Sequence, residues 1–367
     1  MIINRKRIPK QLPEEQPQPI DFVALTDAIK TIGVELGFQH VGIAATDLAD
    51  DEHRLLNWLD QGRHGDMSYM HRHGAKRSRP AELEPGTVSV ISVRMDYWPP
   101  DCEAADTVLQ NPTQAYISRY ALGRDYHKVI RARLKHMADR IADLAGPFGY
   151  RAFVDSAPVL EKALARNAGV GWIGKHTNLI AREAGSWFFL GELYTDLPLA
   201  TDTPVRAHCG QCRACIDICP TQAIVAPYEL DARLCISYLT IEHHSAIPVA
   251  LRSLMGNRIY GCDDCQLVCP WNRFAQPSVE PDFAARHTLD ARSLVDLFMW
   301  TRAEFEHYTE GNPIRRIGHV RWLRNIAVAL GNAPISAKVI DSLRARRVHP
   351  HPLVREHVEW ALANHGC

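Results

Sequence analysis

The sequence predicts three successive folding units: a mixed α/β (α+β) unit over residues 21–200, a small cysteine-rich unit over 201–280 and a helical unit over 281–367. Three observations carry this reading. Apolar residues alternate between helical and strand spacing up to about residue 200. Eight of the ten cysteines lie between Cys209 and Cys269. Beyond residue 280 the apolar spacing becomes helical again, in short pairs. A chain of 367 residues suits two or three domains of ~100–200 residues each. Its composition, 46% apolar and 23% charged, excludes a disordered chain, a collagen and a simple coiled coil. Lys and Arg number 42 and so do Asp and Glu, so bulk charge does not make it a polyanion binder, although a local basic face remains open. No apolar run approaches the ~20 residues of a membrane span.

Residues 1–20 are polar and Pro-rich and predict a disordered tail. No apolar run follows Arg5, Lys6 and Arg7, so a secretory signal is not expected. That, with many cysteines in a long chain, predicts cytoplasmic localisation and cysteines that bind metal. Leu25, Ile29, Ile32 and Leu36 predict a first helix stopped by Gly37. Val88–Met95 predicts a strand after the Pro85-Gly86 turn signal. Ile130, Leu134, Met137, Ile141 and Leu144 predict a long helix after Asp125, ended by Gly146-Pro147. Arg151–Val154 and residues 187–194 predict two more strands. In the last unit Ile317, Val320, Leu323, Ala327 and Leu330 share one helical face. Val339, Ile340 and Leu343 share a second, and Pro352 opens a third helix with Val354, Val358, Ala361 and Leu362 inward. Short paired helices suggest a HEAT-like unit.

The cysteine spacing is the most specific signal. Cys209-x2-Cys212-x2-Cys215-x3-Cys219-Pro220 is the bacterial ferredoxin run, in which three thiolates bind one [4Fe–4S] cube and the fourth reaches a second. Cys262-x2-Cys265-x3-Cys269-Pro270 is one cysteine short of the same run, and Cys235 between them completes eight. Applying the exchange gives Cys209, Cys212, Cys215 and Cys269 to cluster one. Cys219, Cys235, Cys262 and Cys265 go to cluster two. A pair of zinc sites is the alternative, since C-x2-C is also zinc spacing. Cys102 and Cys367 are left over as free thiols.

Clusters only move electrons, so other residues must hold the chemistry. Residues 154–180, VDSAPVLEKALARNAGVGWIGKHTNLI, resemble the signature of the epoxyqueuosine reductases, a segment type shared with corrinoid reductive dehalogenases. The stretches 73–87, 116–134, 256–272 and 351–362 agree with that resemblance, which spans about residues 20–365. It implies that the first unit binds cobalamin, as base-off cob(II)alamin, beside two [4Fe–4S] clusters. The implied reaction reduces the epoxide of epoxyqueuosine at the wobble position of tRNA to queuosine, through cob(I)alamin. An axial His would be signalled by Asp-x-His-x-x-Gly. Asp125-Tyr126-His127 begins that pattern, but Ile130 stands where Gly is required.

The resemblance also implies that Asp155 is the proton donor, a carboxyl kept protonated by an apolar, crowded site; by spacing alone it is equally a turn residue before Ser-x-Pro. Trp172, Gly174, Lys175 and Asn178 are candidate cofactor contacts in what is otherwise a turn-rich loop. Arg77, Ser118, Arg119, Tyr126 and Ser237 join them as candidates. Arg315, Arg316, Arg321 and Arg324 are candidate tRNA contacts, or a solvated helix face. The expected partners are tRNA carrying epoxyqueuosine and an unidentified electron donor, with no membrane and a monomeric chain. A corrinoid reductive dehalogenase acting on a small molecule is the rival reading, and a plain electron-transfer ferredoxin with an attached binding domain is a second.

Overall fold

A computed structural model describes residues 20–367. The expected tail, residues 1–20, lies outside the described residues except for Ile20.

Helix α1 (Phe22–Glu35) starts where the Asp21 carboxylate accepts from the Val23 and Ala24 amides, an N-cap that satisfies otherwise orphaned donors. It ends before Gly37, whose φ of +86° only glycine adopts freely. Strand β1 (His40–Ala44) follows, then helix α2 (Ala49–Asp60) and strand β2 (Ser89–Asp96). Asp125 caps helix α3 (Tyr126–Ala145), after which come strand β3 (Tyr150–Phe153), helix α4 (Glu161–Asn167) and strand β4 (Phe188–Thr195). The four strands form one sheet in the order β1-β2-β4-β3. Every pair in it is antiparallel, so the first unit is α+β. The stripe of α3 is buried at Ile130, Leu134, Met137 and Ile141. Leu144 is instead 57% exposed, because the last turn outruns the surface beneath it.

The two faces of the sheet carry different layers. Ile91, Val93, Met95, Phe189 and Leu193 pack against α1 and α3. Val90, Phe188, Leu190 and Tyr194 alternate to the other face and pack against α4, as a period of two requires. Gly42 lets α4 approach β1: a Cβ there would meet the Ala168 carbonyl oxygen at 2.0 Å.

The helical unit is helix α5 (Gly318–Asn332) with α6 (Ala337–Arg346) and α7 (Pro352–Asn364). Its core reaches back along the chain, taking in Ala115, Ile117, Ala121 and Leu122 as well as Ile259 and Tyr260. The link is a parallel pairing of Arg258–Tyr260 with Tyr116–Ile117. Helix α5 is buried on all sides from Trp322 to Gly331.

Arg324 was expected to face tRNA. It is fully buried, and its guanidinium donates to the carbonyls of Leu239, His243 and Ser245 and to Asn325 Oδ1, at 2.6–3.0 Å. It ties α5 to the cysteine-rich unit and has no surface for a phosphate. Arg324→Ala should destabilise the protein by about 3 kcal/mol or more, because each buried carbonyl left without its donor costs about 1–3 kcal/mol. Exposed Arg315→Ala should cost under about 0.5 kcal/mol. Denaturant midpoints check both; an unchanged midpoint for Arg324→Ala would contradict the assignment.

Candidate active site

The three units meet around a cavity of about 830 Å3, within the range of ~300–1,000 Å3 usual for ligand sites. Tyr126, His127, Asp155 and Glu161 line it from the first unit. Cys219, Cys235, Cys262 and Cys265 line it from the second, and Arg316 and Arg321 from the third.

Asp155 stands two residues beyond the end of β3. Its side chain is 39% exposed, and that exposure is to the cavity. The Tyr126 hydroxyl donates to Asp155 Oδ2. His127 Nε2 lies 2.5 Å from Asp155 Oδ1, and His127 Nδ1 lies 2.7 Å from Asp125 Oδ1. Arg316 closes the chain by donating to Asp125 Oδ2 at 2.8 Å. Burial alone would neutralise His127, but the two carboxylates outweigh it and raise its pKa. Burial alone would likewise keep Asp155 protonated, but its hydrogen bond with His127, the imidazolium charge and the Tyr126 hydroxyl outweigh it and lower its pKa. Both shifts run against an apolar pocket that holds Asp155 protonated: they favour the proton on His127 and the charge on Asp155, as in a proton-sharing pair. Both nitrogens of His127 are engaged, which leaves none free as an axial metal ligand.

Burial and neighbouring thiolates raise the pKa of several of the eight cysteines. Burial first, then the neighbouring Cys269, Cys209 and Cys212 thiolates, push Cys215 up to about 11. Burial first raises Cys265, and Cys235 and Cys219 are among its charged neighbours. Burial also leads for Cys262, which feels Cys235. Cys215 thus feels three thiols of its expected group and Cys262 feels one of its own, while Cys265 feels Cys215 of the other group as well. Buried, mutually repelling thiolates need a cationic centre between them. Among the described residues no three His, Cys, Asp or Glu side chains converge as they would on one metal ion.

Tyr126, Asn178, Arg77, Ser118 and Ser237 are on the cavity wall. Asn178 Oδ1 accepts from Lys162 at 3.1 Å, Arg77 holds the Tyr69 and Met70 carbonyls, and Ser118 donates to Asp263 at 2.5 Å. Four cofactor candidates lie elsewhere. Arg119 is 1% exposed, donates to the Glu103 carbonyl and sits over the Tyr116 ring. Trp172 packs edge-on against Trp271 and His208, beside Cys269 and Cys209, so it shields the first thiol group. Gly174 faces Ile180, whose Cδ1 a Cβ would meet at 2.5 Å; its smallness serves the hairpin of Trp172–Ile173 with Leu179–Ile180. Lys175 donates to the Gly210 and Cys212 carbonyls at 2.6 and 2.9 Å and clamps the first cysteine loop.

Sequence reasoning missed Glu161, Glu192 and His176. His176 is on the wall, with Nε2 buried and unpartnered, and burial drives its pKa down to about 4. All three are single polar residues whose burial no local pattern announces; Glu161 and His176 lie inside the 154–180 segment.

Two family profiles match the chain. One, described as "Epoxyqueuosine reductase QueG, DUF1730", matches residues 77–156. The other, a 4Fe-4S double cluster binding domain, matches residues 208–272. The epoxyqueuosine reductase of Xanthomonas campestris pv. campestris is 61% identical over 351 residues, covering 96% of this chain and 98% of its own length. The chain belongs to the epoxyqueuosine reductase family. That of Pseudomonas aeruginosa is 60% identical over 349 residues, covering 95% and 96%. A crystal structure of an epoxyqueuosine reductase with a tRNA-Tyr epoxyqueuosine-modified tRNA stem loop superposes with a TM-score of 0.86 at 27% identity, covering 94% of this chain and 91% of that one. The chain is thus an oxidoreductase, an epoxyqueuosine reductase with an iron–sulfur domain, and the dehalogenase reading gives way. No helix among the described residues is long and apolar enough to cross a membrane.

Proposed function

We propose that this reductase acts on epoxyqueuosine within tRNA, using a corrinoid seated in the central cavity and two [4Fe–4S] clusters. The observation that carries the reading is the composition of one wall set: Asp155 with its proton-sharing His127, and the four thiols Cys219, Cys235, Cys262 and Cys265, border the same cavity. Electrons and a proton can therefore reach one bound molecule from two sides.

The residues suit the groups they would hold. Cys209, Cys212, Cys215 and Cys269 would bind the outer cluster, since Cys212 is exposed and none of the four borders the cavity. The other four would bind the inner one. Hydroxyls and amides from Tyr126, Asn178 and Ser237, with Arg77 and the unpartnered His176 Nε2, offer the donors and acceptors that an amide-bearing corrin needs. His127, engaged on both nitrogens, would not serve as an axial imidazole. When bound, the corrinoid supplies a strongly reducing metal centre. The chain's own residues hold the proton: Tyr126 and His127 fix the Asp155 carboxylate, and Asp125 with Arg316 fixes the His127 ring. Anaerobic reconstitution, iron and cobalt analysis and assay on epoxyqueuosine-containing tRNA test the whole reading. Absence of cobalt uptake would remove the corrinoid from it.

Arg315, Arg316 and Arg321 remain the candidate phosphate contacts. Arg315 is exposed and forms no ion pair among the described residues, so it is the candidate whose guanidinium is best placed to bind. Arg315→Ala should weaken tRNA binding and lower the slope of log affinity against log salt by about 1, the effect of one lost phosphate contact. Equal slopes would make it a bystander.

A further inference from the structure

Reducing an epoxide to an alkene breaks both C–O bonds, takes up two electrons and two protons and releases water. The established reductase activity supplies the electrons. The Asp155–His127 pair holds one proton, which leaves a second to be found.

Glu161 opens helix α4 and lines the same cavity. Its Oε2 is buried with no hydrogen-bond partner among the described residues. The adjacent Lys162 does not pair with it: that ammonium donates to the Thr177 carbonyl at 3.2 Å and to Asn178 Oδ1 at 3.1 Å. The other groups facing it are Asp155 beyond β3, Tyr126 and His127 on α3, and Glu192 on β4. Glu192 is fully buried, both its oxygens are unpartnered, and it does not border the cavity. Glu161 and Glu192 are buried and feel each other and the Asp155 charge, and like charges in low dielectric disfavour full ionisation of all three. Burial, then the Asp155 charge, push Glu161 up to about 8. An unpaired buried carboxyl destabilises a fold, so packing alone gives no reason for it.

We propose that Glu161 is the reservoir of the second proton, passing it to Asp155 and through it to the substrate oxygen, which then leaves as water. Before the first transfer, the imidazolium holds Asp155 ionised and blocks this route. Once that proton is gone, His127 is neutral, Asp155 loses its counter-charge, and the proton can move inward from Glu161. Glu161 acts through Asp155 and is a positioning and supply residue. The proposal rests on the reading of Asp155 as proton donor given above.

The test compares wild type, Glu161→Gln, Glu161→Asp and Asp155→Asn, each as holoenzyme. Infrared titration of the wild type should show a protonated carboxyl band that vanishes as pH rises through about 8 and is missing from Glu161→Gln. Glu161→Gln should lower kcat about 10–100-fold, below the full range of a direct acid, with KM and iron content unchanged. Glu161→Asp should restore part of the loss. Folded Glu161 keeps its proton up to about 8, whereas an unfolded glutamate ionises near 4.5. Wild-type stability should therefore fall between those pH values through this group, and the Gln variant should lack that fall. A wild type that shows no carboxyl band disappearing as pH rises through about 8 overturns the proposal even if the variants fail to fold. So does normal turnover of Glu161→Gln beside an inactive Asp155→Asn. Normal turnover of both variants would instead sink the Asp155 reading, and this proposal with it.

Discussion

Asp155→Asn is expected to retain the fold and both clusters and to lose nearly all turnover. The amide is close in size and can still accept from the Tyr126 hydroxyl, so the loop beyond β3 keeps its anchor. It cannot receive the His127 proton and hand it to a leaving oxygen. General acid catalysis contributes ~10²–10⁴-fold, and a poor leaving group places the loss at the upper end. The pair also sets the pH dependence. His127 has a raised pKa, so its proton and the ion pair it makes are fully present below its ordinary value of 6.5 and are lost as pH rises through the raised one. Turnover should decline in that alkaline window. Asp125, held down to about 2, stays ionised throughout, so its support for the ring is lost only in strong acid. Single-turnover assays across pH check both points. Near-normal rates for Asp155→Asn with cofactors intact would return Asp155 to the role of a turn residue.

Cys235→Ala is expected to remove the inner cluster and abolish turnover, lowering iron from about eight to about four per chain. Cys235 is the only ligand candidate outside the two spaced runs. It precedes the short helix Ile236–Ile241, lines the cavity, and feels the Cys219 thiolate. The loss should interrupt electron flow at its last protein-held station. Cys102→Ala and Cys367→Ala should change neither iron nor rate, since the Cys102 thiol packs at the edge of the helical core and bonds the Pro99 carbonyl, and the Cys367 thiol bonds the His365 carbonyl. Full iron occupancy in Cys235→Ala would remove it from the ligand set.

Local signals decided much of this protein. The first helix, the strand before residue 96, the long helix behind Asp125 and the last three helices follow from apolar period and caps, because those depend on neighbours three or four residues away. Cysteine spacing pointed to two clusters for the same reason: a loop of fixed length presents its thiolates to one cube. The 154–180 segment pointed to Asp155.

Tertiary structure decided what each polar side chain does. Arg324 and Arg315 look alike in sequence, yet one is sealed among carbonyls and the other is exposed. Lys175 and Trp172 belong to the signature segment but serve the outer thiol group, because the chain turns back there to meet residues 208–212. The charge state of Asp155 was not legible at all. It depends on His127, 28 positions away in the chain but 2.5 Å away in space, and on Arg316 from another unit. Electrostatic interactions act through distance and burial, neither of which a linear sequence records.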